Sequence, residues 1–272
     1  RTITPAHGFT QRCTTVGARF LQLSGQRKRA GNHGPLWLFH AGSLSGSGAY
    51  LMDWEALRLS LKLATVTLIV LLPAGIIVGR WLAYSSFRGK AWIESLIILP
   101  LVLPPTVLGY YLLVSVGGAS PFGRWFAEVF NIQLTFNFLG LLLASLVFNV
   151  PFLVQPVQRA FETIPREYRE AAAVSGLSAW RAFWKVELPL AWPGIFSAMV
   201  LTFVHTLGEF GVVLMIGGSI PGETKTIAIS IYDRVQAFDL DGANRMASLL
   251  LVLSLCAVAA SFFAAARFSA RR

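Results

Sequence analysis

Five long apolar runs limit what this chain can fold into more than any other feature of its sequence. They lie at about 59–79, 92–116, 138–157, 191–216 and 244–266. An α-helix needs about 20 residues to cross the hydrocarbon core of a bilayer, and each run is close to that length. The runs are rich in Leu, Val, Ile and Ala without an alternation of period two, which favours helices over a β-barrel. The sequence therefore predicts an all-α, polytopic transmembrane bundle of five spans.

The composition agrees with a protein that exposes much of its surface to lipid. Charged residues make up 13% of the chain, apolar residues 55%, and the mean hydropathy is +0.61. A soluble domain usually has about 25% charged residues, because its surface must face water. The two cysteines, Cys13 and Cys256, give neither a disulfide framework nor the spacing of a metal site.

Residues 1–51 differ in composition from the rest of the chain. They carry six Lys or Arg and no Asp or Glu, and so supply +6 of the net charge of +10. An Arg-rich, acid-poor segment is typical of a targeting sequence. The simpler interpretation is an extension ahead of the fold, because Met52 leads directly into the first apolar run. We expect a disordered leader over 1–51 and a membrane domain over 52–272.

Basic residues between the spans predict the orientation of the bundle. The first and third connections and the C-terminal tail carry eleven Lys or Arg, whereas the second and fourth connections, 117–137 and 217–243, carry three. Loops rich in Lys and Arg stay in the cytoplasm. We therefore expect the start of the first span outside, the C-terminus inside, and the third connection, residues 158–190, in the cytoplasm. This connection is called the coupling loop below.

The first half of the coupling loop predicts a short helix that ends at a glycine. Thr163 can cap its N-terminus, and Pro165 suits the first turn, where a missing N–H costs little. Glu167 favours the same end of the helix dipole. The helix is expected to run to about Ser175, with Gly176 as the residue that follows its C-terminus.

The second half predicts another short helix, over 179–187, capped by Ser178 and ended by Pro189. Each helix presents a face suited to docking against another protein, small on the first helix and aromatic on the second. The residues of these faces are Tyr168, Ala171, Ala172 and Ser175, then Trp180, Phe183 and Trp184. The helix–Gly–helix unit is therefore interpreted as a docking element.

The stretch "EAAAVSGLSAWRAFWKVELP" resembles the cytoplasmic signature of ATP-binding-cassette importer permeases. That signature reads Glu-Ala-Ala, three residues, Gly, nine residues, Ile, one residue, Leu-Pro. The matching residues are Glu170, Ala171, Ala172, Gly176, Leu188 and Pro189. Val186 stands where the signature has Ile. The resemblance implies that this segment fits a groove on a partner ATPase and passes its closure to the spans.

The resemblance also implies that transport and ATP hydrolysis are carried out by separate subunits. The chain has no G-x-x-x-x-G-K-[ST], and its one Gly-Lys pair, Gly89-Lys90, is followed by Ala91. We therefore expect no enzyme activity and no cofactor in this chain, with ATP used by a cytoplasmic ATPase subunit. The other implied partners are an external oxyanion-binding protein, a second copy in a homodimer, and lipid of the bacterial inner membrane; nucleic acid is not expected.

Two further stretches resemble the molybdate permeases of bacteria: "LPLVLPPTVLGYYLLVSVG" (99–117) and "LGEFGVVLMIGGSIPGETKTIAISIY" (207–232). Sulfate permeases share the Gly-Glu-(Phe/Tyr)-Gly run, so the tetrahedral-oxyanion family is indicated more firmly than the anion. The Gly-Glu-Thr-Lys-Thr run at 222–226 favours molybdate, and tungstate is nearly the same size and charge. Sulfate and tungstate stay open as alternatives.

Several residues are candidates for the pathway or its gate. His205 and Glu209 are four residues apart in span four and are expected on one helix face, hydrogen-bonded to each other or to a symmetry mate. Prolines in the second span suit a wet or mobile path. The further candidates are Pro104, Pro105, Thr224 and Thr226. A lone carboxylate would repel a dianion, so weak holding of the anion is expected.

Two other classes of protein remain compatible with the residues alone. A non-transport membrane protein, such as a sensor or an assembly factor, could use the same docking loop. A proton-coupled carrier would rest on His205 and Glu209.

Overall fold

The computed structural model describes residues 52–269, so the expectations for the leader lie outside the described residues. Every regular element within that range is helical. In chain order the helices are α1 (Trp54–Tyr84), α2 (Lys90–Val102), α3 (Pro105–Val116), α4 (Pro121–Phe130), α5 (Phe138–Glu162), α6 (Arg166–Val174), α7 (Ala179–Ala182), a π-helical segment (Phe183–Glu187), α8 (Leu188–Gly208), α9 (Gly211–Gly217), α10 (Ile227–Gln236) and α11 (Leu240–Ser269).

Side-chain caps fix where several helices begin. Asp53 accepts a hydrogen bond from the N–H of Ala56 at 3.1 Å at the start of α1. Asn137 accepts one from Leu139 at 3.1 Å at the start of α5. Ser120 accepts one from the N–H of Gly123, the third residue of α4, at 2.8 Å. Such caps satisfy N–H groups that have no partner inside the helix.

The prediction of an all-α membrane bundle is confirmed. Four helical stretches are long and apolar enough to cross a membrane, namely 54–84, 138–162, 179–208 and 240–263. The helices α2 and α3 add a fifth crossing when they are taken together, although they meet at an angle of 107°. The spans extend beyond the apolar runs because their ends continue into polar turns.

The second span, predicted over 92–116 with prolines inside it, is divided into two helices. Helix α2 ends at Val102, Leu103 is extended with ψ 139°, and α3 begins at Pro105. Pro104 and Pro105 cause this break, because proline has no N–H and drives the preceding residue out of the helical region. The two prolines therefore divide the span.

The predicted fourth span, 191–216, is also divided. Helix α8 ends at Gly208, Glu209 is extended with ψ 128°, and the short helix α9 begins at Gly211. Glycine has low helix propensity, and two of them flank the break. At the other end, α8 follows α7 and the π segment without interruption, so the helical stretch begins at Ala179.

The core lies where α1, α5 and α8 meet. Small residues on α1 allow α5 to approach closely, as in other membrane helix pairs. A Cβ on Gly75 would lie 2.6 Å from Leu153, and one on Gly79 would lie 2.8 Å from Val157. Ile195 of α8 is fully buried in the same cluster. The ends of α1, α5 and α8 that adjoin the coupling loop are thus held together.

Candidate functional site

The coupling loop turns at Gly176, between α6 and α7. Its φ is +74°, in the left-handed region that favours glycine. The Gly176 N–H donates to the carbonyl of Ala173 at 3.0 Å, and the Leu177 N–H donates to that of Ala172 at 3.1 Å. These bonds satisfy carbonyls at the helix end. The predicted place of Gly176 is confirmed.

The predicted cap of the first coupling helix is wrong. Helix α5 continues to Glu162, so Thr163 is its C-cap residue and donates its hydroxyl to the carbonyl of Ala160 at 2.9 Å. Helix α6 begins after Pro165, at Arg166. The span runs further than its apolar run, because polar residues at its end still complete helical hydrogen bonds.

Helix α6 presents most of the predicted small face to the outside. Tyr168, Ala171 and Ser175 are exposed, and Val174 is 90% exposed. Ala172 is the exception, since it is 5% exposed and turned towards the protein. An unpartnered surface of this kind is available for docking.

Glu170 lies on the exposed side of α6. Its carboxylate pairs with the guanidinium of Arg166 at 2.8 Å, one turn earlier in the same helix. Both side chains are largely exposed, so this pair contributes little to stability. The ion pair of Glu170 therefore lies on the surface of α6 and does not hold the interior of the fold together.

The second coupling helix does not end at Pro189, contrary to the prediction. Ser178 caps it as expected, accepting from the N–H of Arg181 at 3.4 Å. The chain then passes through the π segment, where the N–H of Leu188 donates to the carbonyl of Phe183. This wider turn accommodates the proline ring just before α8 continues, and Pro189 has no N–H that needs a partner.

The aromatic face of the second coupling helix is confirmed. The ring centroids of Trp180 and Trp184 are 5.6 Å apart, and that of Phe183 lies 5.9 and 5.2 Å from them. Trp180 is 68% exposed and Trp184 51%. Leu188 packs against the core, whereas Pro189 is exposed. The coupling residues taken from the signature stay a prediction, since no partner is present to contact them.

A cluster of charged and aromatic residues behind the coupling loop was not predicted from the sequence. The Arg80 guanidinium at the end of α1 donates twice to the Glu187 carboxylate, at 2.5 and 3.2 Å. Arg169 of α6 lies 3.9 Å from the same carboxylate and 3.8 Å from the ring centroid of Tyr84. Arg80 also lies 5.4 Å from the Phe183 ring. These five residues are called the Glu187 cluster below.

A hydrogen-bond network that was not predicted from the sequence joins three spans in the apolar core. The Thr67 hydroxyl of α1 donates to the Ser145 hydroxyl of α5 at 2.9 Å, and the Asn149 amide donates to the Ser145 carbonyl at 2.8 Å. The Asn149 amide oxygen accepts from Nδ1 of His205 on α8 at 3.0 Å. An amide within an apolar run is itself a signal that could have indicated Asn149.

His205 and Glu209 do not bond to each other, so the first of the two predicted arrangements is wrong, and a bond to a symmetry mate stays a prediction. The His205 ring stacks on Phe152, with centroids 3.6 Å apart, and bonds to Asn149. Glu209 lies beyond the end of α8, and its carboxylate accepts from the N–H of Val212 at 3.0 Å. The break after α8 removes the shared helix face on which the prediction depended. A gate role for either residue stays a prediction.

The breaks in the second and fourth spans lie against each other. A Cβ on Gly211, the first residue of α9, would lie 2.8 Å from Cβ of Pro105. One turn further, a Cβ on Gly109 would lie 2.8 Å from Cβ of Met215. Non-helical backbone at membrane depth is tolerated where it is buried in protein or lines a wet cavity. The structure thus brings Pro105 and the Glu209 break, two pathway candidates, into one place.

The two threonine candidates lie inside the loop that follows α9. Thr224 is fully buried, and its hydroxyl donates to the carbonyl of Gly217 at 2.7 Å and accepts from the N–H of Ile220 at 3.1 Å. Thr226 is 2% exposed and precedes α10. The hydroxyl of Thr224 is thus used to hold the loop, and a pathway role for either residue stays a prediction.

Between residues 52 and 269, His, Cys, Asp and Glu do not gather in any set of three or more suited to a metal ion. Cys256, on α11, is exposed and free.

Comparison with known sequences places the chain among transport proteins. Residues 72–272 match the family described as "Binding-protein-dependent transport system inner membrane component". The molybdenum transport system permease protein ModB of Azotobacter vinelandii is 43% identical over 218 residues, which cover 80% of this chain and 96% of that protein. ModB of Escherichia coli (strain K12) is 37% identical over 203 residues, covering 75% and 87%.

A sulfate permease and a chain of a solved transporter structure are also similar to this chain. The sulfate transport system permease protein CysT of Escherichia coli (strain K12) is 37% identical over 183 residues, covering 66% of this chain and 65% of that protein. A chain in the crystal structure of a bacterial ABC transporter involved in the import of alginate superposes with a TM-score of 0.64 at 16% identity, covering 84% of this chain and 83% of that one. The structural likeness concerns the fold.

Proposed function

This chain belongs to the family of binding-protein-dependent transport system inner membrane components, and we propose that it is the permease subunit of an ATP-driven molybdate importer. The observation that carries the proposal is the similarity to molybdenum permeases along nearly their whole length, 96% of the Azotobacter protein. A multi-pass helical bundle with an exposed docking element between its third and fourth spans supports it.

Molybdate is favoured over sulfate by how far each similarity extends. The alignment with the sulfate permease covers 65% of that protein, whereas the alignments with the two ModB proteins cover 96% and 87%. Sulfate transport is the second candidate. Tungstate is a third, because its size and charge are close to those of molybdate.

The energy for transport is proposed to come from a separate ATPase subunit that docks on the coupling loop. The exposed Val174 and the aromatic pair Trp180 and Trp184 offer an apolar surface that water does not favour. Glu170 and Gly176 lie beside that surface. Docking there would bury it, and nucleotide-driven closure of the partner would then move α6 and α7.

The assembly is proposed to be a homodimer that receives its anion from an external binding protein. A bundle of five spans is thin for a gated path, and a second copy would complete its wall. The distribution of Lys and Arg favours an outer position for the loop between α9 and α10 and an inner position for the coupling loop. The membrane domain is proposed to begin near Met52, with residues 1–51 dispensable for transport.

Competition between anions tests the proposal. The chain is reconstituted in vesicles with its ATPase, with ATP inside and the loaded binding protein outside, and uptake of radiolabelled molybdate is followed. Unlabelled molybdate and tungstate should suppress uptake, and an equal concentration of sulfate should leave most of it. If sulfate is the stronger competitor, and labelled sulfate is taken up faster, the chain is a sulfate permease.

A further inference from the structure

The Glu187 cluster lies at the junction of four helical elements. Arg80 and Tyr84 come from the end of α1, Arg169 from α6, and Phe183 and Glu187 from the π segment that leads into α8. The Tyr84 hydroxyl also donates to the carbonyl of Phe161, near the end of α5, at 3.4 Å. The cluster therefore connects the coupling loop to the first, third and fourth spans at one point.

The carboxylate at the centre of the cluster is held by charge on two sides. Its side chain is 5% exposed, and it accepts two hydrogen bonds from Arg80 across 107 residues of sequence. A paired guanidinium and carboxylate in this geometry are both strong and directional. A buried carboxylate that loses its partner is strongly unfavourable, so the pair resists separation when one of its helices moves.

The contact made by Arg169 links the docking helix to the same point. Its guanidinium lies over the Tyr84 ring at 3.8 Å, within the range of a cation–π interaction, and 3.9 Å from the Glu187 carboxylate. Its side chain is 40% exposed, in contrast to the buried carboxylate. Arg169 therefore reaches inward from the docking surface, whereas Glu170, the next residue, pairs on the outside.

The backbone around Glu187 is irregular in a way that permits movement. The π segment interrupts an otherwise α-helical stretch from Ala179 to Gly208. Such π turns are rare and occur frequently at functional sites. A junction between α7 and α8 that can change its winding would let the docking element move relative to the fourth span. A side-chain link is then needed to transmit the motion to another span.

We propose that the Arg80–Glu187 pair, together with Arg169 on Tyr84, is the link that makes the first span follow the coupling loop. These are positioning residues: they touch neither the anion nor ATP. When the docking element is displaced, the pair moves the end of α1 with it, and α1 then moves with α5, against which it packs. The inference rests on the proposed importer function, since it needs an ATPase that displaces the coupling loop.

Four variants test the link in the complete complex with its ATPase, reconstituted in lipid. Glu187→Gln keeps the shape of the side chain and removes its charge. Arg80→Glu and Glu187→Arg each reverse one charge, and the double variant exchanges the two. Lys90→Gln is the control, because Lys90 forms an ion pair with Glu94 inside one helix, α2, outside the coupling loop. Two quantities are measured: anions transported per ATP hydrolysed, and hydrogen–deuterium exchange of α1 with and without ATP and vanadate.

The link predicts that Glu187→Gln and both reversals lower the number of anions per ATP while hydrolysis continues. Coupling between protein sites is typically about 5- to 150-fold, and we expect a loss of about fivefold or more. The ATP-dependent change in exchange of α1 should disappear in the single variants and return in the exchanged pair. Lys90→Gln should match the wild type.

A purely structural role gives a different result. Glu187→Gln would then lower hydrolysis, transport and the amount of folded complex together, with the ratio unchanged, and that outcome overturns the proposal. If the reversed variants fail to reach the membrane, Glu187→Gln decides alone. A wild-type complex in which α1 responds to ATP but no molybdate enters would refute the proposed substrate and leave the link standing. Transport of molybdate without any response of α1 would refute the link and leave the importer standing.

Discussion

Two substitutions of Gly176 distinguish between two explanations for a glycine in the coupling turn: the backbone conformation of the turn, and the space that a docked partner needs. Its φ of +74° is unfavourable for a residue with a side chain, and no atom lies within 4 Å of a Cβ placed there. Alanine at this φ therefore costs only the conformational penalty, about 1–2 kcal/mol. Asparagine tolerates the left-handed region better than alanine does, although its side chain is larger.

The two substitutions rank in opposite order under the two explanations. If the turn alone matters, Gly176→Asn should dock the ATPase better than Gly176→Ala. If the open space is where the ATPase approaches, Gly176→Ala should dock better, because its side chain is smaller. The account predicts the second order. A penalty of one or two kcal/mol corresponds to a factor of about 5–30 in an equilibrium, so both effects are measurable.

Binding of the purified ATPase to the permease in lipid discs, measured by fluorescence anisotropy, is the assay. Gly222 provides the matched control, because it also has a positive φ, +79°, and open space around its Cβ, but lies in the loop between α9 and α10. Gly222→Ala and Gly222→Asn should leave docking unchanged. Tighter docking of Gly176→Asn than of Gly176→Ala would refute the claim that the partner covers this turn.

Three further substitutions test other parts of the structure. Gly211→Ala places a Cβ 2.8 Å from that of Pro105, so the two breaks must move apart, and uptake should fall, whereas Gly118→Ala, between α3 and α4, meets nothing within 4 Å and should transport normally. Asn149→Leu removes the hydrogen-bond partner of the His205 imidazole, which should cost about 1–3 kcal/mol in a thermal unfolding experiment. The pKa of Asp239 is lowered by a backbone N–H at the start of α11 and by a neighbouring guanidinium, so its stabilisation is present above the ordinary pKa of 3.8 and is lost as the pH falls through the lowered value. Asp239→Asn should therefore unfold with less dependence on acid than the wild type; an unchanged acid transition would contradict this.

The parts of the fold that local chemistry determines were predictable. Length and hydropathy indicate the spans, since the bilayer sets the length of a helix that crosses it. The turn at Gly176 follows from the tolerance of glycine for positive φ, and the Ser178 cap follows from a hydroxyl ahead of a helix. The aromatic face over Trp180 to Trp184 follows from helical spacing alone.

The parts that depend on contacts between distant segments were not predictable. Arg80 and Glu187 are 107 residues apart, and no periodicity relates them. The apolar run of the fourth span continues past Gly208, so hydropathy gives no sign that the helix ends there. It also gives no sign that the Glu209 carboxylate accepts a hydrogen bond from the N–H of Val212 in α9. The same break made the expected bond between Glu209 and His205 wrong, because that bond required one uninterrupted helix.

The most direct measurement is molybdate uptake and ATP hydrolysis in the same vesicles, with the ATPase and the binding protein present. The account predicts uptake that requires ATP and the ATPase, rises in proportion to hydrolysis, and is unaffected when the proton gradient is collapsed. Uptake that persists without ATP and follows the proton gradient would contradict the account and indicate a proton-coupled carrier. ATP hydrolysis without any uptake would contradict it as well.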